Sequence, residues 1–420
     1  MMTNGFNEAY SQTFKRELSI PINTMNRFIE TLKQSFLAFS FDLGGLLAGS
    51  ILFFFINVFS FAPWVIIIYP SIISMRGVIG GFFSGRLSTS LHLGTVKPSF
   101  LNNTRTFLLL VCSTVILTIE SSLMMGALAC FVNISLWGTH LAESLNIFSA
   151  ILTTMGLSLL FVSPVTIGIS ILSFKRGLDP DIIVYPVMST LGDILVTLCF
   201  VLSLRLLFSG FLGSLSAWLF DIVLILIAML LLAKYGRTEH LSRTLKEFSL
   251  TLLIVTLIVN LTGNLLGKIS QIIGKKPEIY ILYPALIDTI GDVGSVVGST
   301  TTTKLALGTV GSSFKDIRKS LPEIGGACLS SAAWFLLFSI ISLYLTHKPV
   351  VLNNLITLSL LLLTLSVLAA PVISVISYIL AIITFKNGLD PDNFVIPCES
   401  SLSDSITTAF LLLIICLFRY

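Results

Sequence analysis

Acidic side chains recur inside long apolar runs of this sequence: Asp42, Glu120, Asp193, Asp221, Asp288, Asp292, Glu399 and Asp404. The base at comparable depth is Arg76. An ionisable group among hydrocarbon is costly and is by default a functional candidate. An excess of carboxylates over bases invites a cation as counter-charge. Carboxylate, hydroxyl and carbonyl oxygens are the hard donors that Mg²⁺ and Ca²⁺ prefer.

Spacing singles out Asp193 and Asp404. Pro186 and Pro397 precede them by two helical turns on the same face, Ser189 and Ser400 lie at the turn between, and Thr197 and Thr408 follow one turn later. A proline within a helix removes a donor and frees a carbonyl, which a membrane protein tolerates where it lines a cavity or is met by neighbours. Two such stripes facing each other would offer paired carboxylates, hydroxyls and carbonyls, a set suited to a largely hydrated Mg²⁺. The same pair could instead fix helix packing through hydrogen bonds. A second signal is Tyr-Pro followed by Gly-x-x-Gly, at Tyr69-Pro70 with Gly77 and Gly80, and at Tyr283-Pro284 with Gly291 and Gly294. Small residues allow close helix approach, and that alone would account for the glycines. Asp288 and Asp292 stand where the first copy has Ser74 and Val78, so the second copy carries more charge. Asp42 aligns with Asn260 and faces either the pathway or a neighbouring helix.

The elements that must position these groups follow from composition. The chain is 55% hydrophobic and 11% charged with mean hydropathy +0.97; soluble domains carry about 25% charged residues. A net charge of +4 gives no argument for nucleic acid. The six cysteines lie in apolar runs without ligand spacing and the four histidines are scattered, so packing thiols are expected rather than a zinc or iron centre. Apolar runs near 36–59, 64–85, 106–133, 146–173, 181–208, 212–233, 249–272, 279–300, 323–346, 352–384 and 393–418 predict 11 transmembrane helices in an all-α polytopic membrane protein. Most of the 25 Lys and Arg fall in segments that are cytoplasmic if the N-terminus is inside and the C-terminus outside.

The chain is also repeated. Residues 69–100 align without a gap on 283–314, and 174–197 on 385–408. The reading is therefore a short cytoplasmic segment over 1–34, a first repeat over 35–210, a linker helix and loop over 211–246, and a second repeat over 247–420. Two five-helix units separated by one extra span have the same orientation, related by an axis along the membrane normal. One chain would then suffice as a pseudo-dimer. Glu120 has no counterpart in the second repeat, and Asp221 lies on the linker helix. The Leu-Asp-Pro-Asp turns at 178–181 and 389–392 read as helix starts, with Asp179 and Asp390 as caps and proline at the first position.

These residues resemble a known family. The run Tyr69-Pro70…Arg76-Gly77…Arg86-Leu87-Ser88-Thr89 and the run Asp179-Pro180-Asp181…Pro186…Ser189-Thr190-Leu191-Gly192-Asp193, repeated over 389–404, resemble segments of the MgtE-type magnesium transporters, in particular the fused two-repeat solute-carrier members. The resemblance implies divalent cation transport, with Asp193 and Asp404 at the pore site. Mg²⁺ is then cargo rather than cofactor, and Mn²⁺ or Ca²⁺ would suit the donors in kind. A polar group of that family's Gly-Asn-x-Gly is kept as Asp292 and lost at Val78.

The function classes then separate as follows. A Mg²⁺ channel or facilitator in the cell membrane is the first reading. A Na⁺- or H⁺-coupled exchanger is the alternative, with Glu120 or Asp42 available to the coupling ion. A membrane-embedded Mg²⁺-dependent enzyme would need a denser Asp- or His-rich motif, and no nucleophile–base pair stands out; no enzymatic activity is expected.

Overall fold

The computed structural model describes residues 24–55, 62, 64–138, 140–176, 180–273, 276–306, 308–346, 352–387 and 391–418. All regular elements among them are helical. In chain order they are α1 (Thr24–Ala38), a 3₁₀ turn (Phe39–Asp42), α2 (Leu43–Phe54), α3 (Trp64–His92), α4 (Arg105–Trp137), α5 (Leu141–Lys175), α6 (Pro180–Phe208), α7 (Phe211–Tyr235), α8 (Glu239–Ile273), α9 (Pro277–Ala306), a second 3₁₀ turn (Phe314–Ser320), α10 (Leu321–Leu345), α11 (Leu352–Lys386) and α12 (Pro391–Phe418). Eleven segments are long and apolar enough to span a bilayer, α1 and α2 forming one of them over Thr24–Phe54. The expected all-α, 11-span class is thus observed. Its helix starts match the turn chemistry too, since α6 and α12 begin at Pro180 and Pro391. The preceding Asp179 and Asp390 lie outside the described residues.

The described end of the segment before residue 35 belongs to α1. α1 continues through the 3₁₀ turn into α2 and packs along α10. Ser330 donates to the Leu32 carbonyl at 2.9 Å, and the Trp334 indole N–H to the Phe36 carbonyl at 2.8 Å. Gly326 lets the two backbones approach.

The two repeats exchange their first helices. α2 packs on α9 of the second repeat, and α8, the equivalent helix, packs on α3 and α4 of the first. Each also touches the last helix of its own repeat, α2 on α6 and α8 on α12. The core around α3 therefore takes Phe248, Leu252, Val255 and Val259 from α8, and the core around α9 takes Phe39 and Leu46 from the N-terminal segment.

Lipid is as apolar as leucine, so close packing rather than water expulsion holds such crossings. A Cβ on Gly45 would sit 2.6 Å from the Ala285 amide nitrogen, and one on Gly49 would collide with the Ile281 carbonyl. At the equivalent crossing a Cβ on Gly263 would collide with the Ile67 carbonyl and reach Ser71 Oγ at 3.2 Å. Ser71 in turn donates to the Val259 carbonyl at 2.8 Å.

The linker helix α7 lies against α4, α5 and α6 of the first repeat, and most of its apolar side chains are exposed. Asp221 is its buried anchor. It accepts hydrogen bonds from Ser149 and, at 2.8 Å, from Thr153, both on α5.

Candidate cation site

The site rests on a lock that occurs twice. Tyr69 on α3 shares a hydrogen bond with Thr197 on α6, and Tyr283 on α9 shares one with Thr408 on α12, each 2.9 Å long. Thr197 also donates to the Asp193 carbonyl at 2.7 Å and Thr408 to the Asp404 carbonyl at 2.6 Å. Each Asp is thus fixed one turn above a tyrosine–threonine clasp. Both threonines are fully buried and spend their hydroxyls in these bonds; they hold the stripe rather than line the cavity.

Above the clasps, α3, α5, α6, α9 and α12 enclose a cavity of about 90 Å³, several times the roughly 10–15 Å³ that one water molecule requires. Asp193, Asp288, Asp292 and Asp404 all line it, with Ser189, Ser400, Gly77 and Gly291. Asp193 and Asp404 are 9% and 6% exposed; Asp288 and Asp292, a turn apart on α9, are half-buried. The Asp193 and Asp288 carboxyls lie side by side, an arrangement of like charges that is stable with a cation or a proton between them. Asp193 Oδ2 is buried without a hydrogen-bond partner. A Cβ on Gly77 or Gly192 would meet nothing within 4 Å, so these glycines border open space.

Among the described residues, no three His, Cys, Asp or Glu side chains converge at metal-ligating distance. The four carboxylates reach the cavity from three helices without forming a close cage.

The other singled-out residues fall at different distances. Asp42 ends the first 3₁₀ turn and accepts a hydrogen bond from Thr289 at 2.6 Å. It lies behind the lining, within electrostatic range of Asp292 and Asp193. The side chains of Pro186 and Pro397 lie outside the described residues, although the backbone is helical through both. Asp221 faces α5, and Glu120 is half-buried on α4, away from the lining residues.

Sequence reasoning gave no role to Arg76 or Glu399. Arg76 lines the cavity, is 3% exposed and has no hydrogen-bond partner on any guanidinium nitrogen. Its place directly before Gly77 was the available signal. Glu399 is 1% exposed, takes a 3.2 Å hydrogen bond from Ser295 on Oε2, and has no partner on Oε1.

No curated protein and no solved structure matches the chain. The family described as MgtE, divalent cation transporter, matches it twice, over residues 69–203 and 283–414. Those two stretches contain both clasps and all four cavity carboxylates, and together they cover more than half of the sequence. The chain belongs to the MgtE family of divalent cation transporters.

Proposed function

We propose that this protein carries Mg²⁺ through the cavity between the two repeats, with Asp193 and Asp404 as the paired central carboxylates and Asp288 and Asp292 as an acidic flank supplied by the second repeat alone. The reading is carried by one observation: carboxylates from α6, α9 and α12 converge on one cavity of about 90 Å³ without forming an inner-sphere cage. A hydrated divalent ion gains charge balance there and gives up little of its shell. Ser189, Ser400 and the open faces beside Gly77 and Gly192 leave room for that water. Mn²⁺ and Ca²⁺ share the donor chemistry and are set apart by cavity width.

The orientation we assign is N-terminus cytoplasmic and C-terminus outside, in the cell membrane, with one chain forming the complete pathway. Entry then runs down the membrane potential, which supplies roughly 4–5 kcal/mol per 100 mV for two charges.

The test is Mg²⁺ uptake into proteoliposomes at fixed potential without Na⁺. Uptake by the wild type that is lost in Asp193→Ala/Asp404→Ala supports the pathway. Normal uptake by the double variant overturns the assignment of the carboxylates. A wild type that stays silent until Na⁺ is added overturns potential-driven entry and leaves coupled exchange.

A further inference from the structure

The cavity carries one charge that cation binding does not call for. Among the described residues that line it, Arg76 on α3 is the single base beside four carboxylates. The repeat alignment pairs it with Ile290, so the arginine is not part of the duplicated frame. A guanidinium keeps its charge inside proteins and has five N–H donors to satisfy. This one is 3% exposed, and none of its three nitrogens has a hydrogen-bond partner.

Its surroundings supply no substitute. A Cβ on Gly80, one turn along α3, would meet Arg76 Nη1 at 3.5 Å and nothing else within 4 Å, so the glycine makes room for the guanidinium without bonding it. From α5 the cavity is lined by Val162 and Thr166, and the Thr166 hydroxyl is spent on the Val162 carbonyl at 2.9 Å. An arginine that serves packing normally commits its donors to carboxylates or carbonyls, because a buried charge left unpaired is costly. Arg76 commits none, so its charge acts on whatever occupies the cavity. Four carboxylates alone would hold a divalent ion firmly, whereas conduction requires binding weak enough for the ion to leave. A fixed positive charge sharing the cavity opposes that firm hold, and in a medium of effective dielectric about 20 its repulsion is still felt across roughly 10 Å.

We infer that Arg76 sets the cation affinity of the four-aspartate cavity: it is a built-in positive charge that weakens binding of the transported ion and speeds its release. The inference rests on the reading that this cavity holds the ion. It gives the first repeat a role of its own, since the same place in the second repeat is apolar.

The test is equilibrium Mg²⁺ binding by titration calorimetry to the purified full chain in detergent, paired with initial uptake rates in proteoliposomes. Arg76→Met removes the charge and keeps much of the volume. It should bind Mg²⁺ about tenfold more tightly than the wild type, with a lower Mg²⁺ concentration for half-maximal uptake and a lower maximal rate. Arg76→Lys keeps a positive charge in the field of the carboxylates and should restore wild-type affinity. Loss of packing alone would instead weaken binding or leave it unchanged, and lysine would not rescue it. Should Arg76→Met fail to elute as a folded protein on size-exclusion chromatography, Arg76→Gln carries the same expectation. Binding that is no tighter in the neutral variants than in the wild type, while Asp193→Ala/Asp404→Ala abolishes it, overturns the inference and leaves the cavity reading standing. Binding that is the same in the wild type and in Asp193→Ala/Asp404→Ala overturns the cavity reading and the inference with it.

Discussion

At the residue scale, the cavity acids and their clasps make separable contributions. Asp288 adjoins Asp193 and lines the same cavity. Asp288→Asn is expected to raise the Mg²⁺ concentration for half-maximal uptake by about tenfold, as loss of one charge-assisted contact does. A titration of initial uptake rate against Mg²⁺ measures it, and an unchanged value would remove Asp288 from the site. The clasps behave differently. Tyr69→Phe deletes one hydroxyl and no packing volume, so a loss of about 0.5–1.5 kcal/mol is expected, with uptake at saturating Mg²⁺ retained. Thermal unfolding in detergent beside the uptake assay tests this. The aspartate pair was legible in the sequence because both copies preserve the Pro-Ser-Asp-Thr stripe. The partner of each threonine was not, because Tyr69 and Tyr283 sit on another helix and spacing along one helix carries no information about what faces it.

At the element scale, the crossings of α2 on α9 and of α8 on α3 depend on glycine. Gly49→Leu places a branched side chain where even a Cβ collides with the Ile281 carbonyl. Overpacking of this kind costs about 1–3 kcal/mol or more, and the expected result is a sharp fall in monodisperse protein on size-exclusion chromatography. A variant that elutes and transports as the wild type does would show that the crossing is looser than described. The linker helix makes the opposite case. Asp221→Ala strands the Ser149 and Thr153 hydroxyls against α7. A lower unfolding temperature with intact Mg²⁺ uptake is expected, since Asp221 faces away from the cavity. Loss of transport at unchanged stability would give Asp221 a direct part in conduction. Hydropathy delivered the number and order of the spans, each of which is a local run of apolar residues. The exchange of first helices had a fainter trace, Gly45-x-x-x-Gly49 and Gly263-x-x-x-Gly267, which announces a close neighbour without naming it.

At the scale of the whole molecule, the two repeats share a frame and differ in charge. The clasps, the glycine crossings and the aspartates on α6 and α12 recur in both, while Asp288, Asp292 and Glu399 belong to the second and Arg76 to the first. A duplicated sequence alone predicts two equal half-sites, and its departures from equality show which half has specialised. The cavity lining is then polarised, with Asp288, Asp292 and Asp404 supplied by the second repeat and Asp193 by the first.

The exchanged helices also constrain how the protein can be made. During synthesis the first five spans leave the ribosome well before α8, yet the first-repeat core is incomplete without Phe248, Leu252, Val255 and Val259. Until α8 enters the bilayer, α3 and α4 lack the helix that packs on them, and α2 has no α9 to hold. Neither half holds its complete core alone, so assembly is expected to be a single late event rather than two successive ones. A chain divided in the turn between α7 and α8 would regain its structure when both pieces are synthesised in the same membrane, and each piece by itself would be a target for quality-control proteolysis.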